Sequence, residues 1–422
     1  MDIDSVLSMV RAQLLSLPRW ATLSLLGSSY LLLVQILRFR RVRKLHEEFN
    51  YSTRASYATM TDTDAWKIQK SIASLEFPFI YLKSLQFALF KTYGIPTISD
   101  LLYKTTEFIH QEKYMKRNAD TAVLINEFVG HPPASSRAHE GIARMNYLHK
   151  GYRDGGKILD DDMVYTISLF ALEPARWINR YEWRELTELE KCALGTFWKS
   201  VGDAMLIKWD VLPSSKTGFK DGLQWFEEID AWSRLYEVKA MVPSKSNHLT
   251  ANATVDILLV DIPSVFQPLA HQGVRFLMES RLRIAMMYDE PGLISRMLFS
   301  SILGLRKFML RHLFLPRLAI FRKVRTSEDH DAPGPHSAYE WEGDPYYVKP
   351  TLLNRWGPMA WYSRALGRPL PGDDGDKYFP NGFDTADVGP KIFVGKGREH
   401  FESTKKKFAA ERKGMCPFAV SS

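Results

Sequence analysis

The sequence predicts an all-α protein: a single large helical domain behind one N-terminal transmembrane helix, finished by an irregular C-terminal extension. Three observations predict it. Apolar residues recur at three- and four-residue spacing through most of the chain. Capping residues precede those runs, and Gly or Pro follows them. Alternating strand patterns bounded by hairpin turns are scarce.

The first element is the anchor. Between Arg19 and Arg38 lies an uncharged run, Trp20 to Leu37, of 18 residues. At ~1.5 Å per residue it spans about 27 Å, close to the hydrocarbon core of a thin bilayer. Arg38, Arg40, Arg41, Arg43 and Lys44 follow it, whereas Asp2 and Asp4 offset Arg11 and Arg19 before it. Counting basic residues, the C-terminal flank faces the cytosol and the N-terminus the lumen. A cleaved signal peptide would carry its positive charge ahead of a shorter core. An interfacial or buried helix is the other alternative, because Ser24, Ser28, Ser29 and Gln35 weaken the span. The chain therefore divides into a short lumenal N-terminus (1–19), the anchor (20–37), a basic juxtamembrane segment (38–50), a helical domain (51–325), and a linker with C-terminal extension (326–422).

Within the domain, Thr61 to Asp64 read as a helix start, and Trp66, Ile68, Ile72 and Leu75 follow before Pro78 stops the run. Ser99 is expected to cap a segment carrying Leu101, Leu102 and Phe108. Ser135 and Ser136 open a helix that ends at Gly155 and Gly156. Asp160, Asp161 and Asp162 place negative charge at the start of a helix running from Met163 to Leu172. Thr187 to Glu190 is a capping box opening a helix through Trp198 to Leu206. Val255 to Val260 has strand character but sits in a helix-compatible stretch. Thr326 to His336 is polar and turn-rich, a linker. From Tyr339 to Ser422 the chain is rich in Pro, Gly and aromatics, and its rings argue for an extension packed on the domain rather than a disordered tail.

Composition narrows the function. Of 422 residues, 45% are hydrophobic, 25% charged and 13% aromatic, values of a folded protein with a sizeable apolar interior. The two cysteines, Cys192 and Cys416, are too few for a disulfide framework and suit a reducing compartment. The net charge of +8 is partly the juxtamembrane cluster and Lys405, Lys406 and Lys407. Such segments suit anionic lipid, and no nucleic-acid-binding module accompanies them.

Most catalytic patterns are absent: no phosphate loop, no dinucleotide fingerprint, no nucleophile elbow. A ferritin-like di-iron site needs two Glu-x-x-His pairs and only one, Glu107 to His110, is present. Asp160 to Asp162 is half of a terpene-cyclase metal motif, with Tyr165 where another carboxylate belongs, and reads better as helix capping. Phe393 to His400 resembles a thiolate haem loop with His400 in place of the cysteine. One constellation survives. Gly141 to Tyr152 is an amphipathic helix whose apolar side carries Ile142, Met145, Leu148 and Tyr152, and His149 faces the same interior. Arg117 and Thr121, four apart, share one face of an earlier helix. An imidazole opposed by an Arg and a Thr suits a metal or haem, although a core histidine bonded to a neighbour is the commoner use of such a residue.

The same residues carry a family resemblance. Arg117-Asn118-Ala119-Asp120-Thr121, followed by Arg144-Met145-Asn146-Tyr147-Leu148-His149, resembles the core of the rubber oxygenase (latex-clearing protein) family. The likeness to its fungal, ER-bound branch runs from the juxtamembrane segment nearly to the end. It includes Leu75-Glu76-Phe77-Pro78-Phe79, Gln86 to Phe90, Thr92 to Thr97, Gly156 to Asp160, Gly195 to Ser200, Lys216 to Gly222, and Cys416-Pro417-Phe418. The resemblance implies that the helical domain is a haem b oxygenase, with His149 as the iron ligand and Arg117 beside the haem. It makes Arg117, Asp120 and Thr121 the candidate catalytic residues. Bacterial members place a Lys immediately before the Thr to close the distal side of the iron; here Asp120 stands there, so that ligand does not carry over. The family's glutamate base has Glu107 and Glu112 as candidates. By the same resemblance the chain is a single-pass protein of the endoplasmic reticulum with its catalytic domain in the cytosol. Its expected partners are O2 and a lipophilic, prenylated (farnesyl-like) substrate of secondary metabolism, cleaved at a C=C bond. Hydroxylation or epoxidation by the same cofactor, and a haem-binding membrane protein without turnover, are the alternatives. Substrate identity and oligomeric state are not written in the sequence.

Overall fold

A computed structural model describes residues 18–105, 111–331 and 334–418. Among them are seventeen α-helices and no extended strand; three isolated bridges, such as Thr326 with Ala338, are the whole β content.

The anchor is helix α1 (Arg19–Arg38), opened by Pro18 and followed by the short basic helix α2 (Arg40–Glu48). Together they make one stretch, Arg19–Glu48, long and apolar enough to cross a membrane. Most of α1 is exposed; Val34 and Arg38 are its buried residues. Helix α3 (Asp62–Ser71) is capped by the Thr61 hydroxyl, which accepts from the Asp64 N–H. After a π-type turn over Ile72–Glu76, Pro78 opens α4 (Pro78–Thr92) as its first residue. A ring with no N–H to offer suits that position, where the donor has no helical partner.

Ser99 behaves differently from its expected capping role. Helix α5 (Pro96–Lys104) begins three residues earlier, at another proline, and the Ser99 hydroxyl instead lies 3.0 Å from Ser246 Oγ. Helices α6 (Gln111–Val129) and α7 (Ser136–Asp154) follow, then α8 (Asp160–Tyr181) and α9 (Glu188–Ala204). The Asp160–Asp162 triplet fills the first turn of α8, which continues past Leu172 and through Pro174. The capping box at Thr187 and Glu190 is present in full. Helix α10 (Gly222–Ala240) crosses α9 closely: a Cβ on Gly195 would stand 2.0 Å from the Gly222 carbonyl oxygen. Only glycine permits that crossing. The stretch with strand character, Val255 to Val260, is the end of α11 (Lys245–Leu258) and the turn after it, not a strand. Helices α12 (Gln267–Leu277), α13 (Ser280–Ala285) and α14 (Leu293–His312) close the main domain. In the extension, α15 (Leu352–Trp356), α16 (Pro358–Ala365) and α17 (Arg398–Glu411) are joined by long irregular segments.

Two apolar cores result. The larger gathers α3, α4, α8, α9 and α10 around Trp198, Trp225, Phe90 and Phe197, and it includes Phe401 and Phe408 of α17. The smaller packs Tyr114, Met115, Val123 and Leu124 of α6 against Tyr346, Tyr347, Val348 and Phe383 of the extension. The α6–α7 pair is therefore covered by the extension through apolar packing on both helices.

Candidate functional site

Helices α6 and α7 form a hairpin, with residues 130–135 reversing the chain. The Ser135 hydroxyl accepts from the Ala138 N–H at 3.3 Å and starts α7. At Gly141 the two helices nearly touch: a Cβ there would lie 2.8 Å from Glu127 Cβ and 3.3 Å from the Leu124 carbonyl oxygen. This contact fixes the register of the pair. Arg117 lies seven residues before Leu124, and His149 eight beyond Gly141. At ~1.5 Å per residue, both stand roughly 10–12 Å from the crossing, on the same side of it. Their charges report the same proximity, since Arg117 is one of the two cations acting on the His149 ring.

His149 is half-buried as a residue, and its ring lies deep enough to lose bulk solvation. Desolvation first, then Arg117 and Arg153, push its pKa down to about 4. The ring is neutral at physiological pH and keeps a lone pair for a ligand. Its Nδ1 is buried without a hydrogen-bond partner among the described residues. A buried polar atom in that condition costs about 1–3 kcal/mol unless something else satisfies it. Arg117 also acts on Tyr93 at the end of α4, whose phenol is pushed up mainly by burial. Thr121 follows Arg117 by four residues and is half-buried on the same face.

Asp120 looks elsewhere. It sits about 100° further round α6 than its Thr121 neighbour, and the Lys116 ammonium donates to both of its oxygens, at 2.8 and 2.9 Å. The Tyr347 hydroxyl of the extension donates to Oδ1 at 2.5 Å. Lys116 donates as well to the Gly389 carbonyl at 2.9 Å. On α7, buried Arg144 donates to the carbonyls of Val388 at 2.8 Å, Phe393 at 3.1 Å and Lys396 at 3.2 Å, with its guanidinium over the Tyr147 ring. The structure thus brings His149 and Arg117 together, leaves Thr121 one turn along α6 from Arg117, and turns Asp120 into part of a clamp between α6 and the extension. Lys116 was legible as an i, i+4 partner of Asp120; Tyr347, 227 residues from it, carried no local signal.

Glu107 and His110 lie outside the described residues, as does the side chain of Glu112. Among the described residues no three of His, Cys, Asp and Glu gather as a metal site. Asp162 accepts hydrogen bonds from Tyr236 at 2.7 Å and Thr97 at 3.0 Å; the His400 ring packs 5.8 Å from that of Tyr147, and its Nδ1 is buried without a hydrogen-bond partner among the described residues. Cys192 is buried and unpaired.

No family model matches the chain. Individual relatives do. The sequence is 48% identical over 389 residues to the ER-bound oxygenase mpaB' of Penicillium brevicompactum, covering 92% of each chain. It is 45% identical over 362 residues to ER-bound oxygenase mpaB of the same fungus, covering 86% of each. With ER-bound oxygenase mpaB of Penicillium roqueforti (strain FM164) the identity is 50% over 281 residues, 66% of this chain and 94% of the relative. Identity at this level across nearly the whole length does not arise without common descent, and the chain belongs to the family of the ER-bound oxygenases mpaB and mpaB'.

Proposed function

We propose that this oxygenase of the endoplasmic reticulum membrane holds haem b between α6 and α7 and cleaves a C=C bond of a prenyl, farnesyl-like chain with O2. The observation that carries the reading is His149: a desolvated, neutral imidazole with an unpartnered buried nitrogen, beside a cation on the facing helix. Those residues fit the group. A neutral ring nitrogen is the donor a haem iron takes, and the Arg117 guanidinium matches a propionate carboxylate. When bound, the iron supplies the redox-active centre that lets dioxygen react with an alkene.

The protein's own residues do the rest. His149 supplies the ligand and, because Arg117 and Arg153 oppose its protonation, keeps it available at any physiological pH. Thr121 offers a hydroxyl, donor and acceptor at once, one turn along from Arg117. Asp120 acts as a positioning residue: by fixing Lys116 and Tyr347 it sets the rotation of α6, and so the direction of Arg117 and Thr121. Apolar side chains of the smaller core exclude water from the space beside His149. In the overall reaction both atoms of O2 are incorporated, one on each carbon of the cleaved bond, giving two carbonyl fragments. The anchor brings the enzyme to the phase into which a prenylated substrate partitions. The basic flank Arg38 to Lys44 places the domain on the cytosolic face of a single span.

The test is an absorption spectrum with a pyridine haemochrome assay on wild type and His149→Ala side by side, with circular dichroism to show that both are folded. A haem b signal that collapses or shifts in the variant is expected. Folded wild type without haem, or an unchanged Soret band in the variant, would overturn the assignment. Turnover of a farnesylated aromatic under 18O2 then separates the reactions: two fragments with one label each support cleavage, and one intact product with a single label means monooxygenation.

A further inference from the structure

Helix α14 has 20 residues, none of them buried. Among its half-buried positions, Ser295, Phe299, Leu303, Arg306, Lys307 and Leu310 recur at helical spacing and mark the side turned to the domain; Met309 and His312, near its end, are half-buried as well. On that side Arg306 donates to Glu182 at 2.7 Å. The opposite stripe ought to be polar in a water-facing helix. Instead Leu293 is 73% exposed, Ile294 83%, Met297 63%, Leu305 59% and Phe308 54%, while Ile302, at the edge of the half-buried side, is 51% exposed. The segment that follows continues the surface, with Ile320 82% and Phe321 62% exposed. Apolar patches larger than a few hundred Å2 are rare on soluble monomers and mark a surface that meets something.

Its position says what it meets. The last two turns of α1 join the end of α14: the Tyr30 hydroxyl donates to the Leu313 carbonyl at 2.8 Å, and Gln35 Nε2 lies 3.0 Å from His312 Nδ1. Arg41 donates to the Arg317 carbonyl at 2.5 Å, so the exit of the anchor and the end of this patch are one surface. Cations border it, with Lys307 and Arg311 on α14 and Arg40, Arg43 and Lys44 beside the anchor. Such charges suit phosphate headgroups at the level where an apolar stripe enters the acyl boundary. The helix is not a span of its own, since Arg296, Arg306, Lys307 and Arg311 interrupt it.

We propose that α14 and residues 313–321 form a second membrane-contact surface, lying in the headgroup region of the bilayer that α1 enters. The proposal rests on α1 being the membrane anchor. An interfacial helix of this kind gains from burying its apolar stripe and from anionic lipid. The domain is then held at two points and keeps one orientation toward the bilayer instead of swinging on a tether.

The experiment uses the full chain, haem-loaded where it binds haem, reconstituted in bilayers of phosphatidylcholine and phosphatidylserine. In a Cys416→Ser background, single cysteines replace Ile294, Met297, Ile302 or Leu305 on α14, Leu26 on α1 as the lipid reference, and Leu235 on α10, 71% exposed, as the water reference. Each carries a nitrobenzoxadiazole label, and doxyl-labelled lipid is the quencher. The expected result is a blue-shifted emission on α14 with at least half the quenching seen at position 26, and none at 235. Quenching at 26 alone, with α14 labels as exposed to water as 235, overturns the proposal and leaves the anchor standing. Shielded but unquenched α14 labels overturn it in favour of a protein partner, a second copy included. Absence of quenching at 26 removes the anchor and the proposal together. All these positions are exposed, so a cysteine at any of them leaves the packing alone.

Discussion

Tyr347 is the side chain on which the arrangement of α6 most depends. Its hydroxyl reaches a buried carboxylate already paired with Lys116, while its ring stacks on Phe379 at 5.4 Å. Tyr347→Phe keeps the ring and deletes the donor, and a hydrogen bond to a buried charge is worth about 2 kcal/mol. The expected outcome is a loss of that size in the urea midpoint analysis; an unchanged midpoint would mean the clamp contributes nothing. Histidines act in the other direction, with pH. His131 is pushed down to about 2 and His336 to about 4, in both cases by burial first and the Arg137 charge second. Below pH 6.5 the unfolded chain binds protons that these rings refuse in the fold, so stability falls as pH drops from 6.5 toward 4. Each such ring costs about 1.4 kcal/mol per pH unit inside that window. Unfolding curves at pH 7.5, 6 and 5 should show the slope, and His336→Gln should flatten it. At this scale helical spacing set positions only, putting His149 on the inner side of its helix and Arg117 and Thr121 on one face of another. The sequence was silent where the partner is remote, because the carbonyls that accept from Arg144 and the phenol that donates to Asp120 come from far along the chain.

Helices were legible wherever their ends are chemically marked. Ser135, Thr61 and the Thr187–Glu190 box each cap the helix that the pattern required. Ser99 shows the limit of that rule. A serine ahead of an apolar run is also a good side chain for a helix–helix contact, and here the proline three residues earlier had already started the helix. Crossings are harder to read, because they depend on what a residue lacks. Gly195 and Gly222 let α9 and α10 approach until a methyl group on the first would collide with the backbone of the second. Neither atom can yield, so Gly195→Ala should destabilise the domain by roughly 3 kcal/mol, the upper range for overpacked sites. Calorimetry checks it, and a variant as stable as wild type would show that the crossing is looser than drawn.

For the molecule as a whole, composition and charge placement indicated a helical protein with one apolar N-terminal helix, and the fold agrees. The basic residues after α1 predict a lumenal N-terminus and a cytosolic domain. An N-glycosylation acceptor appended ahead of Met1 should gain a glycan in microsomes, while added protease digests the domain; a protected domain without a glycan would reverse the orientation. The clamp has one more consequence, for the order in which the protein is made. Helix α1 is made long before the acceptors for Lys116 and Arg144, which are the carbonyls of Val388, Gly389, Phe393 and Lys396. Until they are made, the α6–α7 hairpin lacks the acceptors that buried Arg144 and half-buried Lys116 use in the fold. A chain cut short before Val388 should insert like the complete one yet leave that hairpin open to chaperones and proteases. The arrangement of the α6–α7 hairpin is thus expected to be completed only once residues 388–396 have been made.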